Sequence, residues 1–209
     1  MQTPASSAAS GPAIPQMIAH AGGRAQVVLT DARQMRAVAH PTRLALIGLL
    51  RREGPLTATQ AGARLRESSG SMSFHLRQLA KYGLVEETGD GTGRQKPWRA
   101  TAQYTSWSAT PHDPDLAEAT TQFSRVIAAR YTPLIQAWID SQPQESDAWK
   151  AAAQFGDTFL WLTPQELARL GEQLTALLVP YDARLTDQTQ RPEGSRLVSW
   201  LHLAFPVVD

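Results

Sequence analysis

The chain has 209 residues, no cysteine and a formal net charge of +1. The length allows one domain of ordinary size or two small ones, and the missing cysteines exclude disulfides, thiolate metal sites and a cysteine nucleophile. No apolar run reaches the roughly 18 residues that a membrane span needs, so we expect no membrane partner. Residues 1–23 lack the cationic start and apolar stretch of a secretory signal, which predicts a flexible tail on a cytoplasmic protein.

The near-neutral total conceals two halves of opposite charge. Residues 24–100 hold 13 Lys and Arg against 6 Asp and Glu, a balance of +7, whereas residues 101–209 hold 7 against 13, a balance of −6. All six tryptophans lie at or beyond Trp98. The basic half suits a polyanionic partner, although charge alone does not exclude chance clustering of solvated side chains. The acidic, tryptophan-rich half indicates a second functional region.

Capping residues and helical spacing predict four short helices followed by a hairpin. The helices are predicted over residues 31–39, 41–52, 58–65 and 71–82, and the strands over residues 84–88 and 96–101. Thr30 and Thr57 are the predicted caps of the first and third helices, and Pro41 suits the start of the second. Ser68–Gly70 is predicted as a turn, and residues 89–93 as a glycine-rich hairpin loop. This order of elements is typical of a winged helix-turn-helix.

The fourth predicted helix has two chemically different faces. At 100° per residue, Met72, Leu76 and Leu79 share one face, which can dock on the preceding helices. The opposite face and its flanks carry groups that suit base edges and phosphates, and the hairpin adds two cations that could hold phosphates or remain solvated. These candidates are Ser73, Phe74, Arg77, Gln78, Lys81, Arg94 and Lys96. An exposed Phe74 would meet a base step or a protein surface, unless it packs on the wing. His75 is predicted to be structural and bonded to a backbone carbonyl.

Three segments, in this order, resemble motifs of ArsR/SmtB-type regulators. Ala37–Leu44 resembles A-x-x-H-P-x-R-L, Ser73–Leu79 resembles S-x-H-L-x-x-L, and Gly83–Val85 resembles the G-L-V that enters the wing. The resemblance spans about residues 30–101. It implies a homodimeric winged-helix protein that binds an operator, most often as a repressor. It also implies that the start of the recognition helix approaches DNA, which adds Ser69 and Ser71 to the candidates.

The resemblance departs from the metal-sensing members of that family. Their cysteine-containing motif would lie on the helix over residues 58–65, where this chain has no ligand residue. His112, Asp113, Asp115 and Glu118 could suggest a metal site, but acidic residues at a helix start are the simpler interpretation. The sequence therefore predicts no metal and no other cofactor.

The second half is predicted to mix helices and strands. Apolar residues at near-heptad spacing over 115–140 predict a long helix, which could form a dimer seam together with the first helix or pack within its own chain. A helix is predicted over residues 147–154, another begins at Pro164 behind the cap Thr163, and strands are predicted over 158–163 and 196–205. Four tryptophans could line an effector pocket or fill a core, namely Trp138, Trp149, Trp161 and Trp200.

The predicted fold class is mostly α with a small β component, a winged helix-turn-helix domain plus an α+β C-terminal region. The predicted domains are a tail (1–23), a DNA-binding domain (24–106) and a region for dimerisation and any small-molecule effector (107–209). The predicted function is a homodimeric, sequence-specific transcriptional regulator, most simply a repressor, bound to double-stranded DNA at an inverted repeat. A winged helix used only for protein–protein contact is the alternative. No P-loop, nucleophile elbow or zinc-helix motif appears, so we expect no enzyme.

Overall fold

The structure, a computed structural model, describes residues 16–19, 25–89, 96–108 and 110–208. Its contacts divide the chain into two compact units, Met1–Ile127 and Ala128–Asp209. No helix within the described residues has both the length and the apolar character of a membrane-crossing segment. The predicted fold class is confirmed, because the chain is mostly helical with two small sheets.

Four short helices in the first unit follow the predicted order. They are α1 (Ala32–Val38), α2 (Pro41–Glu53), α3 (Ala58–Leu65) and α4 (Ser69–Lys81). Each begins behind a side chain that accepts a backbone N–H of the first turn, and these caps are Asp31, His40, Thr57 and Ser68. Thr57 and Gln60 form a reciprocal capping box. Local capping chemistry therefore fixes where these helices start.

Two predicted helix starts are wrong by one or two residues. Asp31, not Thr30, caps α1, because its carboxylate accepts the N–H groups of Arg33 and Gln34 at 2.8 and 2.9 Å. Ser69 and Gly70 were expected in a turn, but they form the first turn of α4 because Ser68 is its cap. The turn between α3 and α4 is instead made by residues 66–68.

Five short strands form two sheets. In chain order they are β1 (Gln16–Ala19), β2 (Ala25–Leu29), β3 (Val85–Glu87), β4 (Trp98–Ala100) and β5 (Tyr104–Trp107). The antiparallel pair β3–β4 confirms the two predicted wing strands. The other sheet was not predicted: β1 pairs antiparallel with β2, which pairs parallel with β5. Because β2 precedes α1 and β5 follows the wing, this pairing joins the two ends of the helix-turn-helix segment.

The strand β1 corrects the predicted tail. Residues 16–19 were expected to be flexible, but their backbone pairs with β2 over the register Gln16↔Val28 to Ala19↔Ala25. Backbone hydrogen bonds to a neighbouring strand order a segment that has no strong signal of its own. The rest of the predicted tail, residues 1–15 and 20–23, lies outside the described residues, as does most of the predicted hairpin loop.

The core of the first unit lies between the four helices and the sheets. Its fully buried side chains include Leu46 and Leu49 from α2 and Met72, Leu76 and Leu79 from α4. Burying each such side chain contributes about 1.5–3 kcal/mol. A polar clamp adds to this packing. The Arg51 guanidinium donates from Nε to the Ala102 carbonyl at 2.9 Å and from Nη2 to Thr105 Oγ1 at 2.7 Å.

The long helix α5 (Pro114–Ser141) confirms the prediction for residues 115–140. It starts at Asp113, whose Oδ1 accepts the N–H groups of Asp115 and Leu116 at 2.8 and 3.1 Å. Phe123 is buried and its ring meets Trp107 edge-on at 4.8 Å. The Asp115 carboxylate pairs with Arg36 of α1. These acidic residues therefore serve the helix start, and no cluster of three potential metal ligands occurs within the described ranges.

The second unit contains the end of α5 and three further helices. They are α6 (Asp147–Ala152), α7 (Pro164–Leu178) and α8 (Ala183–Thr186). Three 3-10 turns accompany them at Gln142–Gln144, Val179–Tyr181 and Gln188–Gln190. The predicted cap of α7 is confirmed as a capping box between Thr163 and Glu166.

The strands predicted over residues 158–163 and 196–205 do not form in the single chain. Both segments lack regular secondary structure and are exposed to solvent, and Thr163 at the end of the first one is the cap of α7. A strand needs a neighbour to satisfy its backbone groups, and none of the described residues of this unit supplies one. The pattern of side chains favours strands, but the pairing partner is missing.

Candidate nucleic-acid interface

The turn between α3 and α4 is held by a close backbone approach at Gly62. The Gly62 carbonyl accepts the N–H of Arg66, which has the left-handed φ of 58°, and the N–H of Glu67 at 2.9 Å. A Cβ at position 62 would lie 2.6 Å from the Glu67 carbonyl oxygen. Only glycine therefore allows this tight turn, which sets the direction of α4 relative to α3.

The two predicted faces of α4 are confirmed. Met72, Leu76 and Leu79 are buried, whereas Arg77 and Lys81 are exposed. Phe74 is 51% exposed, and its ring meets His75 edge-on at 5.4 Å. Phe74 thus places a large apolar ring on the otherwise polar outward face of α4.

A groove of about 310 Å³ runs beside this face. It is lined by the start of α3, by α4 and by the wing, through the residues Thr57, Ala58, Thr59, Ser69, Ser73, Arg77, Glu87, Lys96 and Trp98. Four of the candidates from the sequence thus come together, namely Ser69, Ser73, Arg77 and Lys96. Five lining residues were not predicted as site residues from the sequence, namely Thr57, Ala58, Thr59, Glu87 and Trp98. Hydroxyl groups at a helix start are a usable signal for phosphate contact, and they could have pointed to the two threonines.

The cations of this surface differ in how they are neutralised. Neither Arg77 nor Lys81 forms an ion pair with a carboxylate of the described residues, and the Lys81 ammonium lies 5.7 Å from the centre of the Tyr82 ring. By contrast, Lys96 Nζ donates to Glu87 at 2.9 Å, and Arg99 pairs with Glu86 at 2.7 Å. The helix α4 therefore presents cations that no carboxylate of the described residues neutralises, whereas Lys96 and Arg99 of the wing are paired with carboxylates of the wing itself.

The remaining candidates lie at other places on the same element or beyond it. Ser71 is half-buried, and its backbone N–H donates to the Ser68 cap at 3.1 Å. Gln78 is half-buried on the flank of α4. Neither lines the groove. Arg94 lies outside the described residues.

His75 and His40 form a pair between α4 and the start of α2. Their ring centres are 4.9 Å apart, and His40 Nδ1 accepts the N–H of Thr42 at 3.2 Å. His75 Nδ1 is buried and has no hydrogen-bond partner within the described chain, so the backbone carbonyl predicted for it does not contact this atom. Burial lowers the pKa of both rings, and the Arg43 charge lowers each further, with His40 also lowering that of His75. The neutral forms are therefore favoured.

Comparison with known proteins gives one family match and weak structural likenesses. A family model described as a helix-turn-helix domain matches residues 38–88. The crystal structure of the multiple antibiotic-resistance repressor (MarR) from Listeria monocytogenes 4b F2365 is 14% identical, with 70% of this chain and 83% of that chain covered and a TM-score of 0.28. The crystal structure of RV1404 from Mycobacterium tuberculosis is 10% identical, with 70% and 80% covered and a TM-score of 0.29. No curated protein matches the chain.

The family match coincides with the elements that carry the site. Residues 38–88 include α2, α3, α4 and the first wing strand. The matched model describes a helix-turn-helix domain and no narrower group, so the ArsR/SmtB resemblance stays a prediction. The chain carries a helix-turn-helix domain, which is a DNA-binding element of transcription regulators.

Proposed function

We propose that this protein is a sequence-specific, DNA-binding transcriptional regulator whose helix α4 enters the major groove. The observation that carries the proposal is the outward face of α4. There Phe74, Arg77 and Lys81 are exposed, and both cations lack a partner carboxylate among the described residues. A helix that presents such groups while its other face is anchored in a core fits the docking geometry of a recognition helix.

Each side chain then has a role that follows from its chemistry. Arg77 can donate two hydrogen bonds to a guanine, Gln78 can pair with an adenine, and Phe74 can contact a thymine methyl group. Lys81 and the hydroxyls of Ser69 and Ser73 contact phosphates, as do the backbone N–H groups of Ser69 and Gly70 at the start of α4. Lys96 also contacts a phosphate once its ion pair with Glu87 is broken, and Arg94 is proposed to contact the phosphate backbone next to it.

The functional assembly is a homodimer on an inverted repeat. Two α4 helices related by a two-fold axis would read successive major grooves about 34–36 Å apart. Residues 24–106 bind DNA in this proposal, residues 107–209 serve dimerisation, and the long helix α5 contributes to the seam. Occupation of a promoter by such a dimer blocks transcription, so repression is the proposed outcome.

A groove in the second unit is the proposed site of a small-molecule effector. It has a volume of about 610 Å³, within the range of ligand sites, and its walls include Leu134, Ile135, Trp138, Phe155 and Leu201. Of the four tryptophans considered above, Trp138 alone lines it. Trp149 instead lies under the Arg196 guanidinium at 5.0 Å, and Trp161 is fully exposed, so neither a shared pocket nor a buried core holds all four. Quenching of tryptophan emission by one compound of a metabolite panel, lost in Trp138→Phe, tests this site.

Gel shifts test the main proposal. Promoter fragments that flank the gene of this protein should give a specific shift at moderate salt, and mapping of bound DNA across the genome should return an inverted repeat. The absence of any specific shift would refute DNA reading. The exposed ring of Phe74 favours one alternative, a winged helix that binds protein. In that case Phe74→Ala would abolish capture of a protein partner while no DNA fragment is bound.

A further inference from the structure

The second unit exposes an unusual amount of aromatic surface. Within the described residues of this unit no side chain is buried. Five large rings are between 54% and fully exposed, and they are Phe155, Phe159, Trp161, Trp200 and Phe205. Since an aromatic side chain presents about 150–250 Å², their exposed parts amount to about 750 Å².

These rings lie on two segments without regular secondary structure, residues 155–162 and 197–205. Phe155 and Leu201 line the same groove, so the two segments reach one place in the unit. Within the described chain, neither segment makes a backbone–backbone hydrogen bond. Apolar segments whose backbone N–H and C=O groups are unpaired can serve as a template for pairing with another strand.

The composition of the second segment identifies the partner that fits it. Residues 197–208 contain no Lys, Arg, Asp or Glu. A partner recognised by charge would find no complement there. When a strand pairs antiparallel with its own copy across a two-fold axis, like residues face each other, and charged residues would repel. An uncharged strand is free of this penalty. Pro206, which has no N–H, sets the end of such a ladder.

We propose that the segment 197–205 becomes a β-strand by pairing antiparallel with the same segment of a second copy of this chain. The area argues for this occupant, because about 750 Å² of aromatic surface alone approaches the roughly 800 Å² per partner of a standard stable interface. The strand predicted over residues 196–205 thus forms between chains rather than within one. The inference rests on the proposed function to the extent that reading an inverted repeat requires two copies.

Hydrogen exchange measured together with sedimentation tests the pairing. In the full chain at a concentration where it sediments as a dimer, amides of residues 197–205 should exchange at least tenfold more slowly than in the diluted monomer, because ladder hydrogen bonds protect them. Fast exchange in a sedimenting dimer overturns the inference, and so does a chain that stays monomeric. Protection that persists in the monomer overturns it as well, since the strands would then pair within one chain.

Proline substitutions separate strand pairing from apolar contact. His202→Pro and Leu203→Pro each remove one N–H, and because neighbouring amides point to opposite sides, at least one of them breaks the ladder. That variant should raise the dimer dissociation constant at least tenfold, while Leu203→Ala should raise it less. Both residues are exposed in the single chain, so its fold is unaffected. Equal dissociation constants for both proline variants and the parent would overturn the pairing.

A control in the first unit separates this inference from the proposed function. Phe74→Ala removes an exposed ring on α4 and should leave the dimer dissociation constant within about twofold, whereas it weakens the gel shift. A protected dimer that binds no specific DNA refutes the proposed function alone. An unprotected dimer that binds its operator refutes this inference alone.

Discussion

Helices α4 and α7 start in the same way and end in very different surroundings. Both begin behind a hydroxyl cap, and both carry leucines at helical spacing. In α4 the apolar stripe is fully buried because α1, α2, α3 and β3 pack around it. In α7 no residue is buried, and Leu177 is 68% exposed. Caps and spacing decide that a helix forms, whereas burial depends on what the rest of the chain, or a second chain, places against it.

A matched pair of Leu→Ala substitutions, one in α4 and one in α7, tests this difference in burial most directly. Leu76→Ala should lower the free energy of unfolding by about 2–5 kcal/mol, because it leaves a cavity beneath the recognition helix. Leu177→Ala should change it by less than about 0.5 kcal/mol in the monomer, since the side chain is largely in water already. Urea titration of both variants measures the difference. Equal losses would mean that the burial pattern described above is wrong.

Alanine substitutions at two glycines should change the stability of the protein in opposite directions. Gly62→Ala should destabilise the first unit by about 1–3 kcal/mol, because the new Cβ meets the Glu67 carbonyl oxygen and forces the turn open. Gly171→Ala should stabilise α7 by about 0.5–1 kcal/mol, because that position is open and alanine favours the helix. Thermal unfolding of each variant gives the comparison. A neutral Gly62→Ala would contradict the close approach between α3 and the turn.

Removing one carboxylate from the wing should change the affinity for DNA by a small factor. Glu87→Gln removes a carboxylate from the groove and releases Lys96, so affinity should rise about two- to fivefold, in line with the small energies of exposed ion pairs. Glu86→Gln is the matched control, since Glu86 is adjacent, pairs with Arg99 and does not line the groove. Binding titrations with one operator fragment compare them. An equal effect of both variants would show that only net charge matters.

The histidine pair predicts a pH dependence in the first unit. Burial holds the pKa values of His40 and His75 below 6.5, with Arg43 acting in the same direction and Glu67 opposing it. The unfolded chain therefore binds protons first, and stability is lost as the pH falls from about 6.5 through the lower folded pKa. The shifted carboxylates Asp115 and Glu145, whose pKa values are lowered by Arg36 and Arg196, respond only in more acidic solution. The urea midpoint should fall on acidification, and it should fall less in the His75→Gln variant; an equal fall in both proteins would contradict the role of this pair.

Local signals made most of the first unit and the start of α7 predictable. The caps Thr57 and Thr163, the proline at the start of α2 and the stripe of α4 each act within a few residues, and each prediction that they supported is confirmed. The β2–β5 pairing joins Gln26 to Tyr104, and no turn signal links positions so far apart in the chain. The pairing of Lys96 with Glu87 depends on the register of the wing, which spacing alone does not determine.

The most direct test of base reading by α4 compares the variants Arg77→Ala and Arg169→Ala. Arg169 is an exposed arginine of α7 and serves as the control. The affinity of both variants is measured for an operator fragment and a scrambled fragment over a series of salt concentrations. Arg77→Ala should lose about 1–3 kcal/mol on the operator and much less on the scrambled fragment, because a bidentate guanine contact is specific. Arg169→Ala should match the parent on both. If Arg77→Ala binds both fragments as the parent does, or weakens both equally with a shallower salt dependence, α4 does not read bases through Arg77.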